Sequence, residues 1–136
     1  MMQTNFVKWY IENRVIFVQW PREVSNEDVI AANADIVSLL DAGTPLVHII
    51  HDTFSTKHHP KNVFWLRRTF TFISHPALGW FLTAANDPFI KFLGMILPQI
   101  DRNSRYHIAG EIQPLLNFLR ERDPSLDWAS AAEINS

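Results

Sequence analysis

The chain has 136 residues, the size of one domain, and a chain of that length buries roughly two-thirds of its unfolded surface around a single core. Its composition, 47% hydrophobic and 19% charged with five Trp and ten Phe, excludes a disordered protein. The absence of cysteine excludes a disulfide framework, a thiolate metal site and a cysteine nucleophile, and a net charge of −2 lacks the strongly basic footprint of a general nucleic-acid binder.

In chain order, Phe6 to Ile11 and Val15 to Trp20 are aromatic and β-branched runs separated by the short polar turn Glu12-Asn13, and they read as a β-hairpin. Ser25 followed by Asp28 is a variant capping box that opens a helix over Asn26 to Ala42. Val29, Ile36, Leu39 and Leu40 form its apolar stripe, Asn33 and Asp35 lie off that stripe, and Gly43 is expected as a left-handed closing residue. Leu46 to Ile50 is nearly all apolar, as a strand covered on both faces requires.

His51 to Pro60 has no hydrophobic periodicity and reads as a loop leading to a second helix over Lys61 to Ser74, which His75-Pro76 stops. Gly79 to Ala84 is a third buried-type strand. Asp87-Pro88 caps a third helix that runs to Leu97. Arg105 to Ile108 is a last strand and Gly110 to Glu121 a last helix, in which Pro114 is tolerated only in the first turn. The expected fold class is α/β, a five-stranded, mixed, mostly parallel sheet in the order β-β-α-β-α-β-α-β-α, with one domain over 1–121 and a tail over 122–136 that is partly ordered at best and docks through Trp128.

No apolar run approaches the ~20 residues of a membrane-spanning helix. The segment Met1 to Tyr10 lacks the basic start, apolar centre and small-residue cleavage site of a signal peptide, so a cytoplasmic location is expected. Charge is unevenly spread: no acidic residue lies between Asp52 and Asp87, while Lys57, Lys61, Arg67, Arg68 and His58, His59 and His75 all do.

The element order, the Trp9-Tyr10-Ile11-Glu12-Asn13-Arg14 hairpin and the strand Val47-His48-Ile49-Ile50-His51-Asp52 ending in an acidic residue resemble the STAS-like family of anti-sigma-factor-antagonist-like domains over residues 5–121, including its bacterial branches. That resemblance implies a non-catalytic regulatory module whose working face is the loop before helix two together with that helix. Antagonist members carry a phosphorylated Ser or Thr in a segment resembling Asp-Ser-Ser-Gly. Here the matching stretch is His59-Pro60-Lys61-Asn62, without hydroxyl or glycine, and the nearest hydroxyls are Thr53, Ser55 and Thr56.

Read from the residues alone, Lys57, His58, His59 and Lys61 precede the free backbone donors of helix two and are anion-binding candidates, weighed against a plain basic surface loop. His51, Asp52, His58 and His59 are the densest group of metal-ligand types, yet no fixed-spacing ligand motif is present, so no metal and no cofactor is assigned. A small-molecule or metal-dependent enzyme using this loop is the rival reading. No nucleophile elbow, glycine-rich dinucleotide turn or carboxylate pair supports catalysis, and no catalytic residue is named. His48 and His107, inside strands, read as structural.

The strongest signal is apolar. Val63, Leu66, Phe70 and Ile73 make the sheet-facing stripe of helix two, leaving Phe64, Trp65 and Phe72 off it, and helix three has Phe89, Ile90, Phe92, Leu93, Met95, Ile96 and Leu97 with Lys91 its single charge. An outward patch centred on Trp65, Phe72, Phe92 and Met95, with Phe64, Phe89 and Ile96 beside it and Arg67, Arg68 and Lys91 at its rim, is therefore expected. Its expected uses are a homodimer interface, a groove for a fatty-acid-like ligand whose carrier the chain would be, or docking to a protein or membrane surface.

Overall fold

The computed structural model describes residues 2–100 and 105–134. Strand β1 (Val7–Ile11) pairs antiparallel with β2 (Val15–Gln19), placing Val7 opposite Val18 and Trp9 opposite Ile16, with the register shifting between Trp9 and Ile11. The turn between them uses Asn13 at φ 67°, a left-handed conformation that asparagine tolerates better than most residues.

Helix α1 (Asn26–Ala42) starts on a complete capping box: the Ser25 hydroxyl accepts from the Asp28 amide at 3.1 Å and the Asp28 carboxylate accepts from the Ser25 amide at 3.0 Å. Val29, Ala32, Ile36 and Leu40 form its buried stripe. Asp35, expected off that stripe, is buried as well, because its two carboxylate oxygens accept the amides of Gln3 and Thr4, each at 2.7 Å. Gly43 does not close the helix in the left-handed region. It is extended (φ −81°, ψ 178°), and glycine is required by space, since a Cβ there would lie 2.8 Å from Val47 and 2.9 Å from the Asn13 carbonyl.

Strand β3 (Val47–Asp52) and strand β4 (Leu78–Ala84) run parallel to β2, and β5 (Arg105–Ala109) parallel to β4, in the spatial order β1-β2-β3-β4-β5. β3 therefore extends two residues past the apolar run that ends at Ile50, and His51 and Asp52 are the buried last residues of the strand instead of opening a loop. Between β3 and β4, helix two is broken. Helix α2 (Val63–Thr69) ends at Phe70 and a 3-10 turn over Thr71–Ser74 follows. Asn33 of α1 explains the break: its side chain accepts the Phe72 amide at 3.1 Å and donates to the Thr71 hydroxyl at 2.8 Å, holding the chain out of helical register.

Helix α3 (Pro88–Ile96) follows β4, with the Asp87 carboxylate accepting the Phe89 amide at 2.7 Å and proline in the first turn, and a 3-10 turn over Leu97–Ile100 continues it. Helix α4 (Ile112–Arg122) follows β5.

Strands in sequential order with right-handed crossovers place their connecting helices on one face. Accordingly α1, α2 and α3 share one core with Ile16, Val18, Val47, Ile49 and Phe81, while α4 covers the other face through Leu115, Leu116 and Leu119 against Phe17, Ile50 and Leu82. The segment after α4 lies along this second face: Leu126 is buried, Trp128 packs edge-on against Tyr10 and the Ala132 amide donates to the Tyr10 carbonyl at 2.7 Å. Among the described residues no helix is long and apolar enough to cross a membrane.

Candidate functional site

The carboxyl ends of parallel strands, where the chain leaves the sheet, are the usual place for a ligand crevice in an open α/β sheet. Here a cavity of about 90 Å³, open at one side, lies over the ends of β3 and β4. Its floor, from the sheet, is Phe81, His51 and Thr83, and its walls include Trp20, Val24 and Val29, Leu66 of α2, Phe70 just after that helix, and Ile90, Leu93 and Gly94 of α3. Thr53, Thr56, His59 and Pro60 line its outer part.

The period of the β-strand places His51 on the cavity face and Asp52 on the opposite one. His51 packs against Trp20, Phe72 and Phe81, with the Phe81 ring centroid 4.7 Å away. Its Nδ1 accepts from the Trp20 indole at 3.0 Å. The indole nitrogen only donates, so Nδ1 carries no proton and Nε2 carries it. Burial pushes the imidazole pKa down to about 3, so the ring is neutral near pH 7.

Three buried side-chain polar atoms lack a hydrogen-bond partner among the described residues, and two of them, His51 Nε2 and Thr83 Oγ1, belong to residues on the cavity floor. The third, Trp128 Nε1, is in the segment packed on the second face. His51 and Thr83 are direct partners in the β3–β4 register. The other cavity hydroxyls are engaged: Thr53 donates to the Ala84 carbonyl at 2.7 Å and Thr56 to the Pro21 carbonyl at 3.0 Å. Leaving a buried donor unpaired costs about 1–3 kcal/mol, which is why such atoms point to something the cavity is built to hold.

The basic loop residues take separate directions. Lys57 and Lys61 are exposed, and the Lys57 and His58 amides donate to the Arg22 carbonyl. The His58 ring sits 3.4 Å from the Glu23 carboxylate on the surface. His59 alone of the four lines the cavity, stacked on Phe89 at 5.5 Å with its Nδ1–H donating to the Pro60 carbonyl. Asp52 accepts the Phe54 amide at 3.1 Å, and among the described residues no group of three or more His, Cys, Asp or Glu side chains is placed to hold a metal ion.

The expected outward patch is only partly present. Phe64 is 76% exposed and Phe92 and Met95 are each 41% exposed, with Arg68 exposed in the last turn of α2. Phe72 is the correction: it is fully buried, stacked 5.9 Å from Phe81, because the 3-10 turn rotates it from the outside of a regular helix into the core. Trp65, Phe89 and Ile96 are half-buried against the same core. Among the strand histidines, His48 is buried between the Trp80 amide and Asp123, and His107 stacks on Phe118 at 4.0 Å.

Sequence reasoning missed His51 and Thr83 as a pair. The available signal was a polar residue at the end of each of two neighbouring apolar strands, which parallel pairing brings side by side. No protein-family model, curated protein or solved structure matches the chain. The fold and site define an α/β domain with a small apolar crevice at the carboxyl edge of its sheet.

Proposed function

We propose that this chain is a cytoplasmic, non-catalytic binding module that takes up a small, mostly apolar molecule in the cavity between the sheet and helices α2 and α3. The observation that carries this reading is the cavity itself, lined by aliphatic and aromatic side chains with two unpartnered buried polar atoms on its floor. Binding is favoured over turnover because among the described residues no carboxylate, lysine or arginine lines the cavity and His51 Nδ1 is committed to Trp20. Kinship with STAS-like domains is part of the proposal and rests on element order.

Mass spectrometry under native and denaturing conditions tests the reading on wild type and on Val24→Phe, which fills the cavity from its wall. A small mass retained by wild type and lost from the variant supports it. With nothing retained, xenon must still shift the methyl resonances of Val29, Leu66, Ile90 and Leu93 in wild type only; no shift there overturns the proposal.

Self-association is a second reading, favoured by the exposure of Phe64, Phe92 and Met95 on α2 and α3.

A further inference from the structure

We propose that the cavity recognises the carbonyl oxygen of a small neutral molecule, with His51 Nε2–H and the Thr83 hydroxyl as its two donors, and encloses about four heavy atoms around that carbonyl. This rests on the binding reading above and names the ligand class. The donor at His51 is determined by its neighbour: the Trp20 indole at 3.0 Å makes Nδ1 an acceptor and leaves the proton on Nε2. Both side chains are more than nine-tenths buried, neither donor has a partner among the described residues, and the β3–β4 register sets them side by side. A carbonyl oxygen offers two lone pairs, which matches two adjacent donors.

Charge excludes the other ligand classes. Among the described residues the lining holds no Lys, Arg, Asp or Glu, burial keeps His51 neutral, and His59, the other ionisable side chain of the lining, turns its Nδ1–H to the Pro60 carbonyl. A carboxylate or an ammonium placed on the floor beside His51 and Thr83 would lose its hydration and find no opposite charge there. Size narrows the class further, since a cavity of roughly 150 Å³ holds the six carbons of benzene and this one is about 90 Å³ with an open side through which a longer chain can leave. Gly94 lets α3 pack closely over Thr83, since a Cβ at that position would lie 3.1 Å from Thr83 Oγ1.

Four probes of nearly identical shape separate the possibilities: butanone, isopentane, propionate and sec-butylammonium, each titrated into isotope-labelled full-length protein and followed by NMR at the Trp20 indole, the His51 ring and the cavity methyls. Butanone should bind and move the His51 Nε2–H resonance, isopentane should bind without moving it, and the two ions should not bind at millimolar concentration. Thr83→Val, which removes the hydroxyl at constant shape, should weaken butanone about tenfold and leave isopentane unchanged. His51→Phe should do the same, and if it fails to fold Thr83→Val still decides.

If isopentane binds while butanone affinity ignores Thr83→Val, or if propionate or sec-butylammonium binds as well as butanone, the carbonyl inference is overturned and the binding module stands. If neither butanone nor isopentane binds, the binding reading falls with it.

Discussion

Trp20 and His51 illustrate how one residue sets the chemistry of another. The indole satisfies the imidazole acceptor, the surrounding Phe72 and Phe81 rings remove water, and what remains is a neutral ring with one directed N–H. The same burial makes a pH prediction. A histidine whose pKa is about 3 folded and near 6.5 unfolded binds its proton mainly in the unfolded chain, so the stability it contributes is complete above pH 6.5 and is lost as pH falls towards 3. The expected slope is up to about 1.4 kcal/mol per pH unit. His48, also shifted down chiefly by burial and partly offset by Asp123, adds to it. Urea unfolding between pH 7 and pH 4 should show a shallower loss in His51→Phe than in wild type, whatever the variant's absolute stability; equal slopes would mean that His51 is protonated in the folded protein.

At the scale of elements, α2 and α3 divide their apolar side chains between the core, the cavity and solvent. Leu66 from α2, Phe70 just after it, and Ile90 and Leu93 from α3 reach the cavity, while Phe64, Phe92 and Met95 are exposed. Three large apolar groups on two neighbouring connecting helices are the residues from which a self-complementary interface is built. Sedimentation of wild type at tens of micromolar should show dimer, and Phe64→Ser combined with Phe92→Ser should return it to monomer while the melting curve stays cooperative. A wild type that sediments as monomer across that range removes self-association and leaves the cavity reading intact. Phe72 belongs to neither use, because Asn33 captures the chain after α2 and turns that ring inward.

Over the whole molecule, one carboxylate ties the chain's later part to its earlier part. Asp123 accepts from Arg14 at 2.8 Å and from His48 Nε2–H at 2.8 Å, and its other oxygen accepts from the Ser125 amide and hydroxyl. Burial pushes this carboxyl up, but the hydrogen bonds from His48 and Ser125 outweigh it and hold the pKa at about 2. Its contribution is therefore present above the ordinary 3.8 and is lost as pH falls from there to about 2. Asp123→Ala should cost about 2 kcal/mol, since it leaves the buried His48 N–H without a partner. Hydrogen exchange should accelerate from Leu126 to Ala132, where the Ala132 amide is bonded to Tyr10. Unchanged exchange in that segment would show that Leu126 and Trp128 alone hold it.

What the sequence determined by itself is the order of elements and the class of sheet, because hydrophobic period, capping residues and prolines are local signals: the Ser25–Asp28 box, Asp87-Pro88 and the apolar run ending at Ile50 each act within a few residues. What only the tertiary structure decided is which side chains meet. His51 reads as loop because its polarity is visible locally while its partner Trp20 is 31 residues away, and Thr83 gains meaning only when β4 pairs in register with β3. The same holds for Asp35, Asn33 and Gly43, whose roles are set by chain brought against them from elsewhere. The cavity is a product of such meetings, between residues as far apart in the chain as Trp20 and Leu97, and a pattern read along the sequence carries no record of them.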